Sequence, residues 1–169
     1  AHVVVVADGA PWTWNLAAEH FPEAVQILDF YHASERVHTV ARAVYGEGTA
    51  QAREWADRSI KRLSSGDWKG LWCSLKALRP KSAEARKAVQ LAIGYFETNR
   101  CRMDYPTYRA QGMHIGSGVV EAACKCVVGT RCKRSGMRWT RDGLDAVLTN
   151  RCLLLNDRWE EYWRPIKAA

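Results

Sequence analysis

Four consecutive valines near the amino terminus, Val3 to Val6, are followed by Ala7, Asp8 and Gly9. β-Branched side chains are stiff at χ1 and favour a strand. Because the apolar run is unbroken, we expect a strand covered on both faces, as in the middle of an α/β sheet. Asp8 would then leave the carboxyl end of that strand, the edge where open α/β sheets bind ligands. The alternative is that Asp8 only caps the next helix or closes the turn.

A second strand is predicted over residues 24–28, and it too ends on an acid, Asp29. Residues 11–21 between the two strands have the composition of a short helix, with Pro11 in its first turn. Strand, helix and strand within about thirty residues form a βαβ unit with a parallel pair. Asp8 and Asp29 should therefore leave the same edge of one sheet. Asp29 and His32 either help to organise a site there, or Asp29 caps the helix that starts near Tyr31.

Residues 33 to about 100 show helical periodicity and no strand pattern. Four helices are predicted, ending near Gly46, near Gly66, before Pro80 and after Phe96. The stretch from 100 to 116 has weak periodicity and is predicted as loop or short extended pieces. The fold class is therefore expected to be α/β and predominantly helical, with a large helical lobe placed after the sheet.

The net charge of +7 is unevenly distributed along the chain. No Lys or Arg precedes Arg36, whereas seven basic and two acidic residues lie between 125 and 151. An acidic first part and a basic last part fit a cation site beside a surface that binds a polyanion. A solvated basic face without a partner is the alternative. The candidate DNA contacts are Lys125, Arg131, Lys133, Arg134 and Arg138.

Several classes of protein are disfavoured by the composition. The 169 residues suit one domain, or one domain with an inserted lobe. No apolar run approaches the ~20 residues that cross a membrane, and the valine run lacks the basic start of a signal peptide, so the cytoplasm is expected. The six cysteines form no C-x-x-C pair, which favours reduced thiols and disfavours a structural zinc.

Glu121 is the other candidate site residue. Ser117 is a good helix N-cap, which would place Glu121 near the first turn of the helix that follows. Carboxylates that converge from a strand end and a helix start can hold Mg²⁺, which prefers a few carboxylates together with substrate phosphates. Two such ions stabilise the attacking and leaving oxygens of phosphoryl transfer. Since acids at strand ends are common, spacing alone does not establish this chemistry for Asp8 and Glu121.

Two blocks resemble the catalytic domain of bacterial insertion-sequence DDE transposases, in particular the Kra-type group related to Mutator-like and LRE-type transposases. The blocks are VVVVADGAPWTWNLAAEHFPEAVQILDFYH at residues 3–32 and GSGVVEAACKCVVGTRCKRSGMRW at residues 116–139. The resemblance extends over nearly the whole chain, including NDRWEEYW at residues 156–163.

The resemblance implies a partial ribonuclease-H-like fold, formed by residues 1–32 and 116–169, with a helical insertion at 33–115. It implies that Asp8 is the second acid and Glu121 the closing acid of the catalytic triad, which holds Mg²⁺ or Mn²⁺. Asp29 to His32 match the C/D-x-x-H motif of Mutator-like and hAT-like relatives. The implied partner is DNA, at element ends and target, bound by a homo-oligomer in the bacterial nucleoid.

One departure from the family pattern affects the expected activity. The family's first aspartate lies on a strand upstream of the position that Asp8 matches, and nothing before Asp8 can supply it. We therefore expect this chain alone to be inactive as a transposase, and its valine strand to have an unpaired edge that favours association. The alternative is a non-catalytic, transposase-derived module for nucleic-acid binding or assembly.

Overall fold

The two predicted strands form a parallel pair. The computed structural model describes residues 3–164. Strand β1 (Val4–Ala7) and strand β2 (Val25–Leu28) align with Val4 opposite Val25 and Ala7 opposite Leu28. Helix α1 (Pro11–His20) connects them, so the predicted βαβ unit is confirmed. Both strands consequently end at the same edge of the sheet.

Strand β1 is less covered than its sequence predicts. All four of its residues are half-buried, whereas Ile27 and Leu28 of β2 are fully buried. Within residues 3–164 the sheet has two strands, so one edge of β1 has no strand partner. The two faces of β1 are therefore each only partly covered, less than expected, whereas the unpaired edge agrees with the expectation for the part of the chain that the structure describes.

The four predicted helices of the central region are confirmed. They are α2 (Phe30–Tyr45), α3 (Ala50–Ser64), α4 (Trp68–Lys76) and α5 (Ala83–Thr98). Each begins at a side chain that accepts a hydrogen bond from a backbone N–H of its first turn, and these N-caps are Asp29, Thr49, Asp67 and Ser82. Helices α2 and α3 end before the turns at Gly46 and Ser65-Gly66, as the sequence indicates.

Helix α2 is the centre of the helical core. It packs against both α3 and α5, and α4 also packs against both α3 and α5. Fully buried apolar side chains from all four helices meet there: Val37, Val40, Leu63, Leu71, Leu75 and Phe96. Their burial at helical spacing accounts for the stability of this region, because apolar area removed from water is the dominant favourable term in folding.

The stretch predicted as loop contains helical structure. A 3₁₀ turn at Arg100–Arg102 is followed by helix α6 (Tyr105–Ala110). Asp104 caps α6 by accepting a hydrogen bond from the Thr107 N–H. Tyr105 is fully buried, and its hydroxyl donates to the Leu28 carbonyl of β2 at 3.0 Å. The sequence did not indicate this short helix, because its apolar periodicity is weak. Its burial depends instead on a contact with a strand almost eighty positions earlier.

The chain divides into two compact units, Ala1–Ser117 and Gly118–Ala169. The second contains α7 (Gly118–Ala123), a π-helical turn (Cys124–Gly129), α8 (Thr130–Cys132), α9 (Arg141–Leu155) and α10 (Trp159–Trp163). The Arg151 guanidinium joins α9 to the π-helical turn by donating to the Cys126 carbonyl at 2.6 and 3.0 Å. No side chain of residues 118–164 is fully buried.

The described chain is thus mostly helical, with one small parallel sheet, in agreement with the expected predominantly helical α/β class. None of the helices within residues 3–164 combines the length and apolar character that a bilayer crossing requires.

The hydrogen bond from Tyr105 to Leu28 should contribute measurably to stability. We expect Tyr105→Phe to lower the free energy of unfolding by about 1 kcal/mol or more, because the buried carbonyl loses its hydroxyl donor. Tyr31→Phe is the matched control, since the Tyr31 ring is 69% exposed. Urea unfolding measures both variants, and equal stabilities would contradict the assigned role of the Tyr105 hydroxyl.

Candidate functional site

Asp8 lies in the turn that follows β1 and its side chain is exposed. One carboxylate oxygen, Oδ1, accepts a hydrogen bond from the Ala10 N–H at 3.0 Å. Asp8 therefore closes the turn, as the structural alternative predicts, and the carboxylate remains accessible to solvent.

The turn after β1 requires glycine at position 9, for its backbone conformation and for its lack of a side chain. The φ of Gly9, +95°, lies in the left-handed region, which favours glycine. A Cβ at this position would lie 2.7 Å from Cε2 of Tyr95 and 3.0 Å from Cδ1 of Leu28. The Tyr95 hydroxyl donates to the Asp8 carbonyl at 2.9 Å, so α5 holds the turn against the strand end.

Asp29, at the end of β2, is buried and accepts three backbone hydrogen bonds. Oδ1 accepts from the N–H groups of Tyr31 at 2.7 Å and His32 at 3.0 Å. Oδ2 accepts from the Ser117 N–H at 2.6 Å. The predicted helix cap is confirmed, and the same carboxylate also fixes the segment that leads to Glu121.

The hydrogen bonds decide the charge state of Asp29. Burial by itself raises the pKa of this carboxyl, but hydrogen bonds from the Ser117 side chain and from the backbone of His32, Ser117 and Tyr31 outweigh burial and lower the pKa below its ordinary value. Asp29 is therefore a buried anion at neutral pH.

His32 lies one helical turn into α2, beside Asp29. Its Nδ1 atom is 3.5 Å from Oδ1 of Asp29, is buried and has no hydrogen-bond partner within the described residues. The side chain as a whole is 43% exposed. A proton on Nδ1 would face the carboxylate, which leaves Nε2 as the nitrogen with a free lone pair.

A polar cavity of about 230 Å³, here called the Asp8 cavity, opens at this edge of the sheet. It brings Asp8 together with Tyr95 and with one face of α2, and the α2 residues are His32, Glu35, Arg36 and Thr39. The structure therefore gathers two of the residues predicted for the site, Asp8 and His32, around one cavity. Asp29 does not line the cavity. It contributes through its hydrogen bonds to the Tyr31 and His32 N–H groups, which fix the first turn of α2.

Tyr95 forms the opposite wall of the Asp8 cavity. The Arg36 guanidinium lies 5.4 Å from the centroid of its ring, in cation–π geometry. Burial raises the pKa of Tyr95 far above its ordinary value, the Arg36 guanidinium lowers the pKa by a smaller amount, and Asp8 and Asp29 each add a small increase. The hydroxyl consequently stays protonated and keeps its hydrogen bond to the Asp8 carbonyl.

The remaining predicted site residues belong to the second unit. Glu121 is exposed on α7. The predicted DNA contacts are all exposed, and none forms an ion pair with another residue in the range 3–164: Lys125, Arg131, Lys133, Arg134 and Arg138. Their charges are therefore available to a partner.

The sequence analysis missed four residues of the Asp8 cavity: Glu35, Arg36, Thr39 and Tyr95. Glu35, Arg36 and Thr39 lie three, four and seven positions after His32, which places all four side chains on one helical face. That polar stripe on α2 is a sequence signal for three of the missed residues. No local pattern identifies Tyr95, because it reaches the cavity from a helix that starts more than seventy residues after Asp8.

The donor atoms at the Asp8 cavity suit a hard divalent cation. Asp8 and Glu35 offer carboxylate oxygens, which Mg²⁺ prefers, while Mg²⁺ retains several waters and needs few protein ligands. Within either unit, the described residues include no group of three or more His, Cys, Asp or Glu side chains placed to hold a metal ion.

Comparison of the chain with protein-family models, curated proteins and solved structures found no match.

The buried Asp29 carboxylate should make stability depend on acidic pH. Because its pKa in the folded state is lower than the ordinary value of 3.8, its contribution is complete above that value and is lost as pH falls through the folded-state pKa. We expect Asp29→Asn to lower the free energy of unfolding at pH 7 by about 1–3 kcal/mol, since an amide cannot accept all three N–H groups.

Urea unfolding between pH 7 and pH 2 measures this effect. The difference between wild type and Asp29→Asn should shrink below pH 3.8. Asp57→Asn, at an exposed position on α3, is the matched control and should leave stability unchanged at every pH. A difference between wild type and Asp29→Asn that stays constant down to pH 2 would show that folding does not lower the pKa of Asp29.

Proposed function

We propose that this chain is the carboxyl-terminal part of the catalytic domain of a DDE transposase, with a partial ribonuclease-H-like fold. The two sequence blocks at residues 3–32 and 116–139 resemble that family. The whole enzyme would hydrolyse a DNA phosphodiester at the end of an insertion sequence and then join the freed 3′-hydroxyl to target DNA.

The architecture of the sheet supports this proposal. Strands β1 and β2 are adjacent and parallel, and a helical region follows directly at Phe30. In the proposed fold the unpaired edge of β1 is where the strand carrying the first aspartate would add. Residues 33–115, which are mostly helical, would be the insertion, and α7 would carry the closing glutamate.

The observation that carries the proposal is the convergence of Asp8 and His32 on the Asp8 cavity, at the carboxyl edge of two parallel strands. That edge is where open α/β sheets bind ligands. The backbone hydrogen bonds of Asp29 fix the start of α2, and hence the position of His32 relative to Asp8. Two of the residues implied by the resemblance, Asp8 and His32, therefore also line the cavity, which supports the proposal.

Asp8 and Glu121 would hold Mg²⁺ or Mn²⁺, with the third carboxylate supplied from outside this chain. Bound there, such an ion would stabilise the charge that develops on the attacking and leaving oxygens of phosphoryl transfer. Asp8 would contribute an oxygen ligand from a turn that Gly9 and Tyr95 keep in place. His32, oriented by Asp29, would organise the cavity beside the ligand.

The exposed cations of the second unit would bind the DNA backbone. Lys125 and Arg131 lie on the helical segments that follow Glu121, while Lys133, Arg134 and Arg138 lie just beyond. Each phosphate neutralised by such a residue would make binding more sensitive to salt through counterion release. A homo-oligomer assembled on DNA in the bacterial cytoplasm would then position two element ends.

A second candidate function is a non-catalytic nucleic-acid-binding or assembly module derived from a transposase. The second unit favours it, because it combines exposed cations with large exposed apolar side chains, among them Val119, Leu154, Leu155 and Trp163. A partner surface could cover those side chains. DNA binding without any role for Asp8 and Glu121 in metal binding would select this candidate.

Metal binding tests the roles of the two acids. We expect Mn²⁺ to bind the 169-residue chain, and Asp8→Asn and Glu121→Gln each to weaken that binding about tenfold or more, because each would remove one oxygen ligand. Isothermal titration calorimetry with Mn²⁺ measures the affinity. Asp57→Asn is the control, and equal affinities for all four proteins would contradict the assignment.

Activity of the isolated chain provides a separate test. We expect no strand cleavage or strand transfer when the 169 residues are incubated with insertion-sequence end DNA and Mg²⁺ or Mn²⁺, because only two of the three carboxylates implied by the family are present. The assay follows an end-labelled oligonucleotide on a denaturing gel. Robust cleavage that Asp8→Asn abolishes would show that the implied third carboxylate is dispensable.

A further inference from the structure

A second hollow adjoins the Asp8 cavity on the side of α5. It has a volume of about 580 Å³, within the range of ligand pockets, and is here called the α5 groove. The turn at Gly9 and Pro11 forms one side, and Lys87, Gln90 and Leu91 form the other. Arg36 and Tyr95 line both hollows, so the α5 groove leads directly to the Asp8 cavity.

We propose that the α5 groove holds a single DNA strand next to Asp8, an inference that rests on the function proposed above. It adds a path for DNA on the first unit, whereas all the DNA contacts predicted from sequence lie on the second. The groove would receive the unpaired nucleotides beside the phosphate that undergoes reaction.

Charge supports an anionic occupant. The lining of the α5 groove includes two cations, Arg36 and Lys87, and no carboxylate. Neither cation forms an ion pair with another of the described residues. The ring of Tyr95 orients the Arg36 guanidinium without neutralising it. Both cations therefore remain available to phosphate groups.

The apolar part of the α5 groove supports a single strand rather than a duplex. Leu91 is 60% exposed, although it lies on a helix that buries Val89 and Phe96 on its other face. Pro11 faces the same hollow. A duplex presents mainly phosphates to a groove of this kind, whereas a single strand also offers unstacked bases that pack on apolar and aromatic side chains.

Gly94 keeps the α5 groove open. It lies within α5 and lines the hollow, and a Cβ added there would meet no atom within 4 Å. A side chain can therefore start at this position without a clash at Cβ. Because glycine is a poor helix former, replacing it inside α5 should also stabilise the helix.

The position of Gly94 permits a test in which loss of single-strand binding cannot arise from unfolding of the protein. We expect Gly94→Leu to fill the α5 groove and weaken single-strand binding about tenfold or more, the effect of losing one packed base, while its melting temperature stays equal to or above that of the wild type. Gly94→Ala is the control, since it supplies the helix gain but not the bulk.

A second test removes the two cations of the α5 groove. For single strands the salt slope changes by about 0.7 per phosphate contact, so Arg36→Ala with Lys87→Ala should reduce its magnitude by about 1.4. The matched control is Arg86→Ala with Lys61→Ala, which removes an exposed Arg and an exposed Lys that lie outside the α5 groove. Fluorescence anisotropy of a labelled single-stranded oligonucleotide, at 50 to 200 mM NaCl, measures all variants beside a duplex of the same sequence.

The outcomes separate this inference from the proposed function. Selective loss of single-strand binding by Gly94→Leu and by the Arg36/Lys87 pair supports the α5 groove as a strand path. If the wild type binds DNA but these variants match their controls, or lose only duplex binding, the inference is overturned while the proposed function stands. If the wild type binds neither form of DNA, both are overturned.

Discussion

The Asp29 carboxylate is the interaction on which the architecture of the site depends. It is buried at the end of β2 and accepts N–H groups from Tyr31, His32 and Ser117. One ionised side chain thereby connects the sheet, the first turn of α2 and the segment that precedes α7. A buried anion is tolerated only when hydrogen bonds replace its hydration, and the three N–H groups provide them. The position of His32, and with it one wall of the Asp8 cavity, follows from this arrangement.

The opposite wall depends on contacts between segments distant in the chain. Gly9 allows Tyr95 to approach the turn after β1, and the Tyr95 hydroxyl then binds the Asp8 carbonyl. Tyr105 similarly connects α6 to the end of β2. Two phenol groups from the helical region therefore fix the carboxyl ends of both strands. The helices thus position the edge of the sheet at which Asp8 lies.

The sequence predicted the secondary-structure elements that depend on interactions between residues close in the chain. The valine run, the acids at both strand ends and the capped amphipathic helices could be recognised, because β-branching, capping and periodicity act over a few residues. Helix α6 and the role of Tyr95 could not be predicted, since both depend on contacts more than seventy positions apart. The valines of β1 are only half-buried because an apolar run indicates which residues favour burial but does not supply the elements that cover them. Glu35 and Arg36 do follow a local pattern, because they lie three and four positions after His32 on the same helical face.

The proposed function requires that Asp8 and Glu121 each contribute a carboxylate to the binding of a divalent cation. The most direct measurement is a crystal structure of the chain grown with Mn²⁺ and analysed by anomalous scattering. An anomalous peak within coordination distance of carboxylate oxygens of both Asp8 and Glu121 is the result that we predict. A peak at neither residue, or at only one with the other carboxylate directed away from it, would contradict the account.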